Sequence, residues 1–342
     1  MTAPNFARMS PFTTHHNKGL PRLIDPYHSS NGTVEKLANG HKRVQYIPSD
    51  SPDTWRRINN HQFDVRSALF CHEPYEDAQE MLYTVNSHNF RTFDEFNKND
   101  AALMSLGCSH TYGVGVRDHE TWPYRLAKSL NLKNWNLGSG GQSADWCVWV
   151  ARAFISFGFI PKAVAIWWPD ITRTIIALDK NKQDVDDKIS SFILGLHDNI
   201  TEKLEADVVC VSASSPYDEQ SPGSILPGKG HFGKSDIQHL IEFISKREYL
   251  ILLCKTHDIP IVEFHGSNNW DEEFDFGGEL ASRSVYSIPK VDFYPTMPWA
   301  DDFDPEVFLE CGRDGMHYSG TFMKAVAERF EITFNENYKE FV

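Results

Sequence analysis

The chain has 342 residues, 41% of them hydrophobic and 13% aromatic, with a formal net charge of −14. That is the make-up of a globular protein with a sizeable core, and its acidic balance argues against non-specific binding to nucleic acid. No apolar run approaches the roughly 20 residues a membrane-spanning helix needs, and Met1 to Arg8 lack the apolar stretch of a signal peptide, so a cytoplasmic protein, or one carried from the cytosol in an assembly such as a virion, is expected.

Residues 1–83 read as an N-terminal extension. They are rich in proline, histidine, asparagine and aromatics, without a sustained helical period, and are expected to form irregular structure and short strands laid on the main domain, or a docking extension for a partner or a second copy. A short helix is expected near 54–59. The adjacent His15 and His16 have no partnered carboxylate and read as surface residues rather than metal ligands. The six cysteines, Cys71, Cys108, Cys147, Cys210, Cys254 and Cys311, are widely spaced with no C-x-x-C pair, which argues against zinc and for small buried hydrophobes.

From residue 84 to 342 the pattern is that of one α/β domain. A strand is expected at 82–86, followed by a turn over 86–91. Apolar runs at about 101–106, 134–137, 163–168, 207–212 and 259–264 predict five strands, and Ala163 to Trp168 contains no polar residue, as a central parallel strand requires. Helices are expected at about 119–131, up to 157, 184–204, 235–257 and 320–337, with an acidic, aromatic insertion at about 265–312. Strands alternating with helices predict a flavodoxin-like three-layer α/β/α sandwich around a five-stranded parallel sheet. Ligands then bind beyond the carboxyl ends of the strands.

Two stretches at such ends carry chemistry. The first is Gly107-Cys108-Ser109-His110-Thr111-Tyr112-Gly113, where an apolar strand ends at a glycine and presents a serine before a helix-like pattern. The second is Asp314-Gly315-Met316-His317, just before the last helix. A carboxylate three residues before a histidine can accept from the ring's Nδ1–H, leaving Nε2 to take a proton.

Residues from about 84 to 335 resemble the SGNH/GDSL hydrolases, and in particular members found in tailed-phage gene sets. Gly107-Cys108-Ser109 stands where that family has G-D-S. Asn136-Leu137-Gly138-Ser139-Gly140-Gly141 stands for N-x-x-x-x-G, Trp168-Pro169-Asp170 for G-x-N-D, and Asp314 to His317 for D-x-x-H. Asn86 to Arg91 resembles an N-x-x-G-F-R element of some members. The resemblance implies that Ser109 is the nucleophile, His317 its general base and Asp314 the residue that orients His317. It also implies that Ser109 N–H and Gly141 N–H form the oxyanion hole, with Gly140 as the fallback if the register is off by one. No cofactor and no metal are implied.

The chain departs from the family at the third block. Proline has no N–H and no side-chain donor, and an ionised Asp170 cannot donate to an oxyanion. Asp170 is therefore expected to turn away and leave two backbone donors, which makes a slow esterase. The resemblance implies a serine esterase acting on small acyl esters, with an O-acetyl group on a carbohydrate as the expected substrate. The alternatives are an O-acyltransferase and a virion-associated docking protein with an inert site. Trp167 and Trp168 read as core rather than an acyl pocket, Arg173 as a surface arginine or a contact for an anionic substrate, and Asp271-Glu272-Glu273 as a solvated face.

Overall fold

The computed structural model describes residues 34–37, 40–44, 82–140, 142–169, 171, 173–179, 208–213, 236–265 and 317–338. The helices expected at 54–59 and 184–204, the insertion, and the site residues Gly141, Asp170 and Asp314 lie outside these.

The central sheet is built from the apolar runs. Strands β4 (Ala102–Gly107), β5 (Lys133–Asn136), β6 (Ala163–Trp168) and β9 (Ile261–His265) form a four-stranded sheet in the order β5-β4-β6-β9. All its pairings are parallel, with Leu106 opposite Ile166 and Ile166 opposite Glu263. Side chains alternate between the faces of a strand, so each run feeds two cores. Met104, Leu106, Val164, Ile166, Trp168 and Ile261 face one way. Leu103, Ala163, Ala165, Trp167, Val262 and Phe264 face the other.

Helices cover both faces. On the first lie α3 (Ala144–Ser156) and α4 (Asp236–Thr256), which bury Val150, Phe154, Phe243 and Leu250. On the second lie α2 (Trp122–Ser129) and α5 (Gly320–Asn337), joined by Trp122 stacked 4.8 Å from Phe330. The start of each helix of this second pair is set by a capping hydroxyl. Thr121 Oγ1 accepts from Tyr124 N at 3.4 Å, and Ser319 Oγ from Phe322 N at 3.3 Å. In α5 the buried Phe322, Met323, Val326, Ala327, Phe330 and Phe334 recur with the helical period and form one stripe against the sheet.

The three-layer α/β architecture is as expected, but the strand count differs. Val208–Ala213 (β8) is a strand outside the parallel sheet. It pairs antiparallel with Thr174–Asp179 (β7), a strand the sequence reading did not anticipate, with Ile176 opposite Val211. An apolar run identifies a buried strand but not its partner, because pairing depends on residues distant in sequence. Here the β-branched run just after β6 supplies that partner.

Three short strands lie at the other end of the chain. β1 (Val34–Lys36), β2 (Lys42–Val44) and β3 (Tyr83–Val85) form an antiparallel sheet. Val44 and Tyr83 join Tyr112 and Val114 in a small core of their own. No helix among the described residues is long and apolar enough to cross a membrane.

One ion pair is sealed inside the main core. Glu263 on β9 is fully buried and Arg247 on α4 is 2% exposed. Arg247 Nε donates to Glu263 Oε2 at 2.7 Å, its second nitrogen donates to Oε1, and Trp168 Nε1 donates to Oε2 at 3.0 Å. These bonds tie α4 to β6 and β9.

Candidate active site

Ser109 begins a one-turn helix, α1 (Ser109–Tyr112), directly after β4. The turn is tight because Gly107 and Gly138 have no side chains. Gly107 sits at φ +152°, and a Cβ there would meet Thr111 Oγ1 at 2.0 Å and the Trp167 carbonyl oxygen at 2.6 Å. At Gly138 a Cβ would meet Tyr112 N at 2.5 Å. Both glycines let neighbouring backbones close on the serine turn. We expect Gly107→Ala to cost about 3 kcal/mol, from overpacking plus backbone strain, read as a lowered midpoint in a thermal melt. A melt unchanged within a degree would contradict this account of the turn.

The loop after β5 is pinned to the same turn. Asn136 Nδ2 donates to the Thr111 carbonyl at 2.9 Å, and Asn136 Oδ1 accepts from Gly138 N at 3.0 Å. Ser139 N donates to the carbonyl of Gly107 at 3.3 Å. The asparagine of the second block is thus a buried brace, fully engaged with the backbone that carries Ser109.

A second brace comes from Arg91, 2% exposed. Its Nε donates to Asp118 Oδ1 at 2.8 Å, and its other nitrogens donate to the carbonyls of Tyr112 (3.1 Å), Gly113 and Val116 (2.7 Å). The guanidinium lies 4.1 Å from the centre of the Tyr83 ring. Burial alone would weaken its charge, but Asp118 and the flanking tyrosines more than offset this and hold its pKa above the ordinary value. Asn86 Oδ1 accepts from Phe90 N at 3.1 Å. Asn89 adopts φ +65° at the position where the resembling element has glycine, a conformation asparagine tolerates. The 86–91 element therefore fastens the far end of the serine turn.

Ser109 is 7% exposed, and its Oγ lies 3.9 Å from Cys108 Sγ. The histidine from the far end of the chain meets the next residue, His110. The His317 ring centre is 5.0 Å from that of His110, the residue after Ser109. His110 stacks on Trp167 at 4.9 Å with an interplanar angle of 14°, and its centre is 5.0 Å from that of Tyr318. Trp167 and Trp168 are both 2% exposed core residues, as the sequence reading favoured. Trp167 nevertheless supports His110 from one side and Tyr318 at 5.9 Å, a role that no sequence pattern signalled.

At the third block, Pro169 directly follows β6. Beyond it, Arg173 Nη1 donates to the Gln142 carbonyl at 3.5 Å, a contact the sequence reading missed. The described cysteines near this region are buried thiols. Desolvation pushes Cys254 up to about 12 and holds Cys147 well above the usual range, so neither serves as a nucleophile. Among the described residues no group of three His, Cys, Asp or Glu side chains is placed to hold a metal ion.

No family model matches the sequence, and no curated protein matches it. Among solved structures the chain is similar to a protein described as lipolytic and of the G-D-S-L family from Desulfitobacterium hafniense, at 12% identity and a TM-score of 0.39. That match covers 68% of this chain and 99% of the other. The crystal structure of TesA matches at 10% identity and a TM-score of 0.38, covering 69% of this chain and 98% of that one. A protein described as an acylhydrolase from Bacteroides fragilis matches at 13% identity and a TM-score of 0.34, over 71% and 90% of the two chains. At such identities and TM-scores the case for any chemistry rests on this chain's own residues.

Proposed function

We propose that the chain is an SGNH-type serine ester hydrolase, with Ser109 as nucleophile, His317 as general base and Asp314 orienting the imidazole. The observation that carries this reading is the meeting of two distant segments. The pre-helix His317 lies with its ring 5.0 Å from that of His110, the residue that follows the strand-end Ser109, and this supports pairing His317 with Ser109.

In this reading Ser109 Oγ adds to the ester carbonyl carbon while its proton passes to His317 Nε2. The carbonyl oxygen becomes an oxyanion, received by the Ser109 and Gly141 amides. Collapse of the tetrahedral adduct breaks the ester C–O bond, and the alcohol leaves with the proton from the imidazolium. Water, deprotonated by His317, then cleaves the acyl-serine to release the acid. A small acyl group, in particular an O-acetyl group on a carbohydrate, is the substrate we assign to this chemistry.

A fluorophosphonate probe tests the reading directly. We expect covalent labelling of the wild-type protein at Ser109, located by peptide mass spectrometry, and none of Ser109→Ala. A folded wild-type protein that stays unlabelled would favour the docking-protein alternative, for which the donorless Pro169 is the supporting observation. Release of acetate from an O-acetylated polysaccharide then tests the substrate.

A further inference from the structure

Pro169 offers the third block no side-chain donor, yet two other donor-bearing residues meet, Gln142 and, shortly after Pro169 in the chain, Arg173. Gln142 is 1% exposed, and its Nε2 is buried with no hydrogen-bond partner. Arg173 is half-buried, and its Nε is likewise buried and unpartnered. Leaving such a donor unpaired costs about 1–3 kcal/mol each, so two of them on residues in direct contact point to a missing acceptor. No described carboxylate pairs with Arg173; Asp145, three residues after Gln142, is engaged by Lys246 at 2.9 Å.

Topology brings this pair to the same end of the sheet as the nucleophile. Gln142 follows β5 and Arg173 follows β6, and both strands flank β4 in the sheet. Adjacent strands are about 4.8 Å apart, so β5 and β6 are separated by roughly 10 Å with β4 between them. The Arg173–Gln142 contact at 3.5 Å joins the segments that leave the carboxyl ends of these two strands, on either side of β4, after which Ser109 follows. Gln142 N also donates to the Ser139 carbonyl at 3.4 Å, and Ser139 N to that of Gly107 at 3.3 Å, which keeps Gln142 within the serine-turn cluster.

We propose that Arg173 and Gln142 form an anion-recognising subsite beside Ser109, which selects esters carrying a carboxylate near the reacting carbonyl. The guanidinium supplies charge and a fixed N–H, the carboxamide a second N–H, and a carboxylate has the lone pairs to accept from both. The proposal rests on the hydrolase reading for what happens to the bound ester, but not for the binding itself.

The test uses two acetate esters of the same shape, 4-acetoxybenzoate and the neutral 4-acetoxybenzamide, together with their products 4-hydroxybenzoate and 4-hydroxybenzamide as ligands in calorimetry. The wild type should favour the anionic ester in kcat/KM by about tenfold or more, the low end for a charge-assisted hydrogen bond at a half-buried site. In Arg173→Gln that ratio should fall by about tenfold, chiefly through KM, and the Kd of 4-hydroxybenzoate should weaken by a similar factor. Arg173→Lys should retain part of the preference, and Gln142→Leu should lower it by about threefold. A wild type that hydrolyses both esters equally overturns the subsite and leaves the hydrolase standing. An equal loss on both esters in Arg173→Gln also overturns it, because that pattern assigns the guanidinium to the oxyanion or to folding. If neither ester is hydrolysed but 4-hydroxybenzoate binds tenfold better than the amide, and Arg173→Gln removes the difference, the subsite stands and the hydrolase reading falls.

Discussion

Ser109→Ala is expected to lower kcat/KM for simple aryl acetates by about 10³-fold or more, and His317→Ala by a comparable factor. The double variant should be little worse than either single one. This non-additivity is the signature of groups acting as a unit, because once the nucleophile is gone its base has nothing to deprotonate. The residual rate would come from binding and the backbone amides. Steady-state hydrolysis by the purified variants measures this, with circular dichroism to confirm folding. Ser109 is buried in a turn braced by Asn136 and Arg91, and loss of one hydroxyl leaves that brace intact. A Ser109→Ala protein retaining full activity would falsify the assignment. Multiplicative losses in the double variant would mean that His317 acts independently of Ser109.

A large stability effect is expected at the sealed ion pair. Glu263→Ala strips both of its oxygens from Arg247, which among the described residues keeps only Glu248, and the acceptor from Trp168 Nε1 at once. A guanidinium left 2% exposed with only its Glu248 contact at 3.3 Å should destabilise the fold by about 3 kcal/mol, the low end for a broken buried pair. The double change Arg247→Met, Glu263→Leu removes both charges and fills the space with apolar volume, so it should regain most of that loss. The shortfall should be about 1 kcal/mol for the indole N–H that no longer has an acceptor. Urea denaturation of the three variants and the wild type measures the cycle. A double variant as unstable as Glu263→Ala would show that the pair contributes more than mutual neutralisation. The site should feel this change only through β6, whose Trp168 joins the ion pair while Trp167 supports His110.

Local patterns carried much of the fold. The run at 163–168 was legible as a central strand because no polar residue interrupts it, and the buried stripe of the last helix because its apolar residues keep the helical period. The serine turn was legible because Gly107, Ser109 and Gly113 are close in sequence and their conformational demands are local. Strand pairing was not legible to the same degree. The run at 208–213 resembles the sheet strands in composition, and only its register with 174–179 reveals that it belongs to a separate antiparallel pair. Nor was the ion pair visible, since Arg247 reads as one more polar residue on a helix and Glu263 as an interruption in a strand. Each is tolerable in the core only because the other is there.

By itself, then, the sequence determined the layered α/β class, the strand-end position of Ser109, and the kind of chemistry that a serine and a D-x-x-H segment suit. Those features depend on periodicity and on neighbours within a few residues. Tertiary structure alone decided that His317 lies against His110, that Trp167 stacks under His110, and that Arg173 meets the Gln142 carbonyl. These contacts join segments far apart along the chain. What sets them is the order of strands in the sheet, which no short stretch of sequence encodes.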